Sequence, residues 1–141
     1  MAADRAKTLA RLHRVRTLQL NLKLADEATA RDRFSRESAL TTRIAELADA
    51  VSPVPSLAAG FSLGAQAHYR ERLHHSAAAA GSRMRTAQYQ ADQASEATKA
   101  AKRDQSAVEK LMARADKEAV LKEIRAMEDA PAFRRNRHDP C

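Results

Sequence analysis

The sequence predicts an all-α chain: two long helices in an antiparallel coiled-coil hairpin with unequal arms. Three observations carry that expectation. The 141 residues include only three Gly and four Pro, too few for the closely spaced turns of a sandwich, a barrel or an alternating α/β fold. Ala, Leu, Arg, Lys, Glu and Gln, which lose least on entering a helix, dominate the rest. Finally, only one internal segment, Ser52-Pro53-Val54-Pro55-Ser56 with Gly60 and Gly64 after it, interrupts a helical pattern before Pro131.

The first helix is predicted over residues 4–51. Apolar or small residues recur at Val15, Leu18, Leu22, Ala25 and Thr29, lapse at Arg33 and Arg36, and resume at Leu40, Ile44, Leu47 and Val51. Steps of three and four place this row on one helical face, the one expected to pack inward. Leu18-Gln-Leu-Asn-Leu-Lys-Leu24 also alternates as a strand would. It lacks β-branched residues and has no second strand to pair with, so the helical period prevails.

The corner is expected over 52–61, with Ser56 or Ser62 capping the helix that follows. That helix is predicted over 62–129, followed by a basic tail over 130–141. Its row is stricter: Leu73, Ala77, Ala80, Met84, Ala87, Ala91, Ala94, Thr98, Ala101, Gln105, Val108, Met112 and Ala115 alternate steps of four and three. A seven-residue repeat held this long implies a seam following a partner helix in a left-handed supercoil. Ala in the seam permits close approach but buries little apolar area, at about 25 cal/mol per Å². Gly81 inside the helix costs about 1 kcal/mol relative to Ala.

At about 1.5 Å per residue the two arms measure roughly 70 and 100 Å. Folding back from the corner places Asp4 opposite a residue near Glu109. Lys110 to Asp129 is then expected to project without a partner, although it carries Leu111, Val120, Leu121, Ile124 and Met127. An apolar face the chain cannot cover calls for another protein.

Charge narrows the function classes. From Met1 to Leu24 six basic residues meet Asp4 alone, a net +5, and Arg134, Arg135 and Arg137 against Asp139 give +2. Residues 25–130 are balanced, so the whole +7 lies at the termini, which a hairpin gathers at the end away from the corner. Such an end suits nucleic acid or an acidic protein surface. No aromatic is interleaved with the N-terminal arginines to stack bases, and the best heptads do not follow the basic region, which disfavours nucleic acid. A homo-oligomeric scaffold built on the Ala seam is a further alternative.

No signal for catalysis emerges. GxxxxGK[ST] and GxGxxG are absent. His68, Glu71 and His75 share a helical face, with His74 beside them, but a closed zinc site wants four ligands and no Cys is in register. The expectation is no enzyme, no metal and no cofactor. Cys141 has no partner for a disulfide, which fits a reducing cytoplasm. The Arg-rich start weakly resembles a transit peptide, but its pattern continues into the first helix. No apolar run at the start reads as a secretory signal, and no window reads as a span.

Arg103-Asp-Gln-Ser-Ala-Val-Glu-Lys-Leu-Met-Ala-Arg114, Lys117-Glu118 and Arg125-Ala-Met-Glu-Asp-Ala130 resemble the C-terminal helix of the FliJ/YscO family of flagellar and type III secretion components. Chain length, the single corner and the unequal arms are also similar to that family. The Pro-Val-Pro corner, the Ala seam and the Arg-rich tail depart from it. The resemblance implies a cytoplasmic hairpin, peripheral at the inner membrane, that acts as a stalk between a hexameric export ATPase and the export-gate membrane protein. It also implies a general chaperone role, with substrate-specific export chaperones as further partners. It points to Arg11, Arg14, Arg16, Leu111, Arg114, Leu121, Ile124 and Arg125 as ATPase-facing. Leu47, Val51, Phe61, Tyr69 and Leu73 become gate-facing, although Leu47, Val51 and Leu73 serve equally to hold the hairpin closed.

Overall fold

The computed structural model describes residues 2–51 and 60–130. Within them the chain forms two helices that pack against each other, α1 (Ala2–Ala50) and α2 (Gly60–Glu128), and no strand. Leu18–Leu24 is helical, as the absence of β-branched residues favours. Both helices begin two residues before their expected starts. Ser62 therefore lies within α2 and does not cap it, while Ser56, the corner over 52–59 and the tail over 131–141 fall outside the described residues.

Threonine is an indifferent helix former, and here it is accommodated by local bonding. Thr8, Thr17, Thr29, Thr41, Thr42, Thr86 and Thr98 each donate their hydroxyl to the carbonyl four residues earlier, at 2.8–3.1 Å. This satisfies the hydroxyl without breaking the backbone ladder. The last turns close through Val51 N–H to the Leu47 carbonyl and Asp129 N–H to the Arg125 carbonyl.

The residues cluster into two packed units: residues up to Thr17 with those from Arg103 on, and Leu18–Lys102. In the Leu18–Lys102 unit the core is thin and built from small side chains: Ala80, Ala87, Ala91, Thr98 and Ile44 are buried, Ala80 completely. The expected α2 row holds there, with Leu73, Ala77, Met84, Ala94 and Ala101 half-buried. Facing it from α1 are Leu20, Glu27, Ala30, Phe34, Glu37, Thr41, Ile44, Ala48 and Val51, all buried or half-buried. Lys23 meets Thr98 and Glu37 meets Arg83, so the partner number falls as the α1 number rises.

This overturns the inward face expected for α1. Leu18, Leu22, Ala25, Thr29, Arg33, Arg36, Leu40 and Leu47 are all exposed, Leu18 and Leu22 at 64% and 66%. Only Ile44 and Val51 of the expected row turn inward. Measured on a heptad repeat, Leu18 and Leu22 lie roughly on the far side of α1 from α2. Glu27 takes an inward position, 9% exposed, and its carboxylate pairs with Arg31 one turn further along α1.

In the other unit Val108 is buried, with Gln105, Met112 and Ala115 half-buried beside Leu9, Ala10, His13, Arg16 and Thr17. Val15, the first residue of the expected α1 row, is exposed. Polar contacts lace this pair: Gln105 Nε2 donates to Thr17 Oγ1 at 3.1 Å, Arg16 meets Asp104 at 3.0 Å and His13 meets Glu109 at 3.3 Å. Glu109 is thus opposite His13 and not Asp4. Arg5 and Ala6 instead share a shallow depression with Ala115, Asp116, Glu118, Ala119 and Lys122. Half-burial extends to Glu118, and every described residue after it is exposed. The continuously exposed part of α2 therefore begins near Ala119, about two and a half turns later than the expected Lys110, although Ala119 and Lys122 still line that depression.

Candidate functional site

Two exposed surfaces bear on function, one in each unit. In the unit containing both helix ends, α2 continues past Glu118 with Val120, Leu121, Ile124 and Met127 all solvent-exposed, Met127 at 75%. Val120, Ile124 and Met127 follow the i, i+4, i+7 spacing by which an amphipathic helix anchors in a groove. Good helix formers such as Lys122, Glu123 and Ala126 hold this stretch helical without help from packing.

Several expected ATPase-facing residues gather in this unit. Arg11, Arg14 and Arg125 are exposed and carry no ion pair among the described residues. Arg16 is half-buried and bound to Asp104, and Arg114 pairs with Glu118 at 3.2 Å. These two are therefore tied to intramolecular acids. Leu111 is exposed beside the half-buried Met112, while Leu121 and Ile124 lie beyond the end of half-burial. Both partners of the Arg16 and Arg114 pairs are more than a third exposed, so each pair contributes at most about 1 kcal/mol.

In the Leu18–Lys102 unit the expected gate-facing residues divide. Leu47 and Tyr69 are exposed, and Val51 and Leu73 are half-buried in the packing of the pair. The side chain of Phe61 lies outside the described residues. From Leu63 to Arg72 every residue of α2 is exposed, and a shallow depression is lined by Ala67, Arg70, Glu71, His74 and His75. Among the described residues no three His, Cys, Asp or Glu side chains are grouped to hold a metal ion. No described helix is long and apolar enough to cross a membrane.

Sequence reasoning missed the outward row of Leu18 and Leu22 and the inward Glu27 and Glu37. A signal existed: Leu20, Glu27, Phe34, Thr41 and Ala48 fall exactly seven residues apart, in the same strict repeat that marks α2. Glu27 hides that repeat from a reading based on hydropathy.

Compared with family models, with curated proteins and with solved structures, the chain matches none.

Proposed function

We propose that the chain is a non-enzymatic stalk of a type III protein-export apparatus, shaped as an antiparallel coiled-coil hairpin with unequal arms and similar to the FliJ/YscO family. In this reading the ends of both helices engage a hexameric export ATPase, and the opposite end of the hairpin, with Leu47, Val51, Phe61, Tyr69 and Leu73, faces the export-gate membrane protein. Escort of substrate-specific export chaperones is part of the same role, performed at the cytoplasmic face of the membrane.

The observation that carries the reading is the end of α2. Val120, Leu121, Ile124 and Met127 are exposed on a helix whose last half-buried residue among those described is Glu118. Leaving such a face in water is unfavourable unless a partner covers it. Arg11, Arg14 and Arg125 in the same unit have no ion pair among the described residues, and their positive charge suits an acidic receiving surface. A seam with Ala at Ala80, Ala87 and Ala91 also suits such a stalk, because small buried residues keep two helices close without a wide core.

The test is co-purification with a hexameric export ATPase and stimulation of its turnover. A chain ending at Glu118 keeps every half-buried position of the paired helices and removes the exposed end of α2 together with residues 129–141. Stimulation is expected to be lost in that chain and in Leu121→Glu/Ile124→Glu. Undiminished stimulation by either overturns the proposal.

A further inference from the structure

The balance of charge over residues 25–130 conceals a local excess that packing gathers within the Leu18–Lys102 unit. Glu37 of α1 meets Arg83 of α2, so residues 30–45 run alongside residues 75–91 in the opposite direction. Together these stretches hold Arg31, Arg33, Arg36, Arg43, Arg83 and Arg85 against Asp32 and Glu37 alone. On one side of the pair the excess lines a groove. Arg33, Leu40 and Leu47 fall seven residues apart, and each immediately precedes an inward residue of α1, Phe34, Thr41 or Ala48. They form one flank of the seam, with Arg36 and Arg43 beside them. Arg83 and Gln90 hold the matching flank of α2, each immediately before a seam residue. The two flanks adjoin, because Arg33, Glu37, Arg83, Thr86 and Gln90 line one shallow depression.

Adjoining flanks of a coiled-coil pair ordinarily carry opposite charges, as His13 with Glu109 and Arg16 with Asp104 do in the other unit. Here arginine adjoins arginine, and Glu37 is the one carboxylate lining the depression. Glu37 meets Arg83 at 3.3 Å and Asp32 holds Arg36, which leaves Arg33 and Arg43 with no ion pair among the described residues. Leu40, between those two arginines, is 41% exposed, and Leu47 is 47% exposed. A flank of like charge with two leucines in water does not serve the pair itself. We infer that this groove receives one acidic amphipathic helix of another protein, laid along α1 and α2 as a third helix. The seven-residue spacing of Leu40 and Leu47 specifies a helix, whose own apolar stripe returns at that interval. Arg33 and Arg43 specify its charge, because carboxylates beside that stripe replace the acids that α2 does not supply. A second copy fits less well, since the exposed apolar end of its α2 mixes Lys117, Lys122 and Arg125 with its acids.

The inference does not depend on the stalk reading, which rests on the end of α2, and every residue that carries it lies in the Leu18–Lys102 unit. Its test uses the full chain and a fluorescent peptide of about three Glu-Ile-Ala-Ala-Leu-Glu-Glu heptads, followed by anisotropy. A peptide of the same composition in scrambled order, which keeps the charge and loses the apolar stripe, is expected to bind roughly tenfold more weakly. Arg33→Glu/Arg43→Glu is expected to weaken binding of the ordered peptide by about tenfold or more at unchanged helicity, because neither arginine is paired within the chain. Leu40→Gln is expected to weaken it as well. Arg11→Glu/Arg14→Glu, on the basic start of α1, and Leu121→Glu/Ile124→Glu, which disables the end of α2, are expected to leave it unchanged. No binding, equal binding of the ordered and scrambled peptides, or full binding by Arg33→Glu/Arg43→Glu overturns the inference. So does self-association of the native chain that Leu40→Gln abolishes, since the occupant would then be a second copy.

Discussion

The two helices treat their most regular rows in opposite ways. In α2 the row from Leu73 to Ala115 is the row that packs, and all thirteen of its members are buried or half-buried. In α1 the row from Val15 to Val51 turns inward only at Ile44 and Val51. The difference is one of period. The α2 row alternates four and three without a slip, which is the 3.5-residue repeat of a supercoiled pair. The α1 row contains two consecutive steps of four twice, at Ala25–Thr29–Arg33 and Arg36–Leu40–Ile44, which is the 3.6-residue period of a straight helix. A straight helix drifts about 20° per heptad from a 3.5 repeat, so over the roughly five heptads from Val15 to Val51 the two diverge by about 100°. They coincide at Ile44 and Val51 and part company toward Val15. A face on a long helix must be followed at the period of the supercoil.

The sharpest way to break this contrast is to truncate one side chain on each side of it. Ile44→Ala is expected to lower stability by about 2–4 kcal/mol in urea unfolding, because it empties one of the few large buried positions. Leu22→Ala, an equal truncation on the expected row, should change it by no more than about 0.5 kcal/mol. Equal losses would mean that Leu22 packs.

The small α2 seam should resist enlargement. Ala87→Leu, at a buried seam position, is expected to cost about 1–3 kcal/mol and to be read out as a lower thermal midpoint, since the helices must move apart to admit it. A neutral result would show that their separation is not set by Ala.

Glu27 tests whether the polar inward row of α1 is a stability cost. Its carboxylate pairs with Arg31, whose side chain is largely in water, so little of that pairing energy offsets the burial of Glu27. Glu27→Leu is expected to raise stability by about 1 kcal/mol in chemical denaturation. Thr98 tests close approach directly. Its hydroxyl lies 3.1 Å from the Lys23 carbonyl on the facing helix as well as 3.0 Å from its own Ala94 carbonyl. Thr98→Val keeps the shape and removes the donor, with an expected loss of about 1 kcal/mol. The smallest effect is a gain. A Cβ at Gly81 meets only the end of the Arg85 side chain at 3.6 Å, so Gly81→Ala should stabilise by about 0.5–1 kcal/mol in thermal unfolding.

Much of the fold was legible from residue types. The helix formers around the single Pro-Val-Pro interruption predict two helices whose ends differ from those observed by one or two residues. The uncovered apolar end of α2 was legible in kind, since Val120, Leu121, Ile124 and Met127 follow the last seam residue, Ala115. Its beginning was not. The distance from the corner alone placed Asp4 against Glu109, whereas the contacts place His13 there, a shift of nine residues along α1. Counting residues back from a turn assumes that both arms begin to pair at its edges. Here α2 runs exposed from Leu63 to Arg72 before its seam begins.

By itself, the sequence determined the secondary structure, the α2 seam and the concentration of charge at the termini, because each depends on local propensity or on a repeat within one segment. Only the tertiary structure decided which face of α1 meets that seam, how far α1 reaches along α2, and which arginines are tied to internal acids. Those three depend on the phase between two helices. Ala80, Ala87 and Ala91 bring the helices close, and Phe34, Ile44 and Val51 then fix the phase. Glu27 is carried inward and Leu18 and Leu22 outward, against their individual hydropathies, because a helix cannot present two faces to one partner at once.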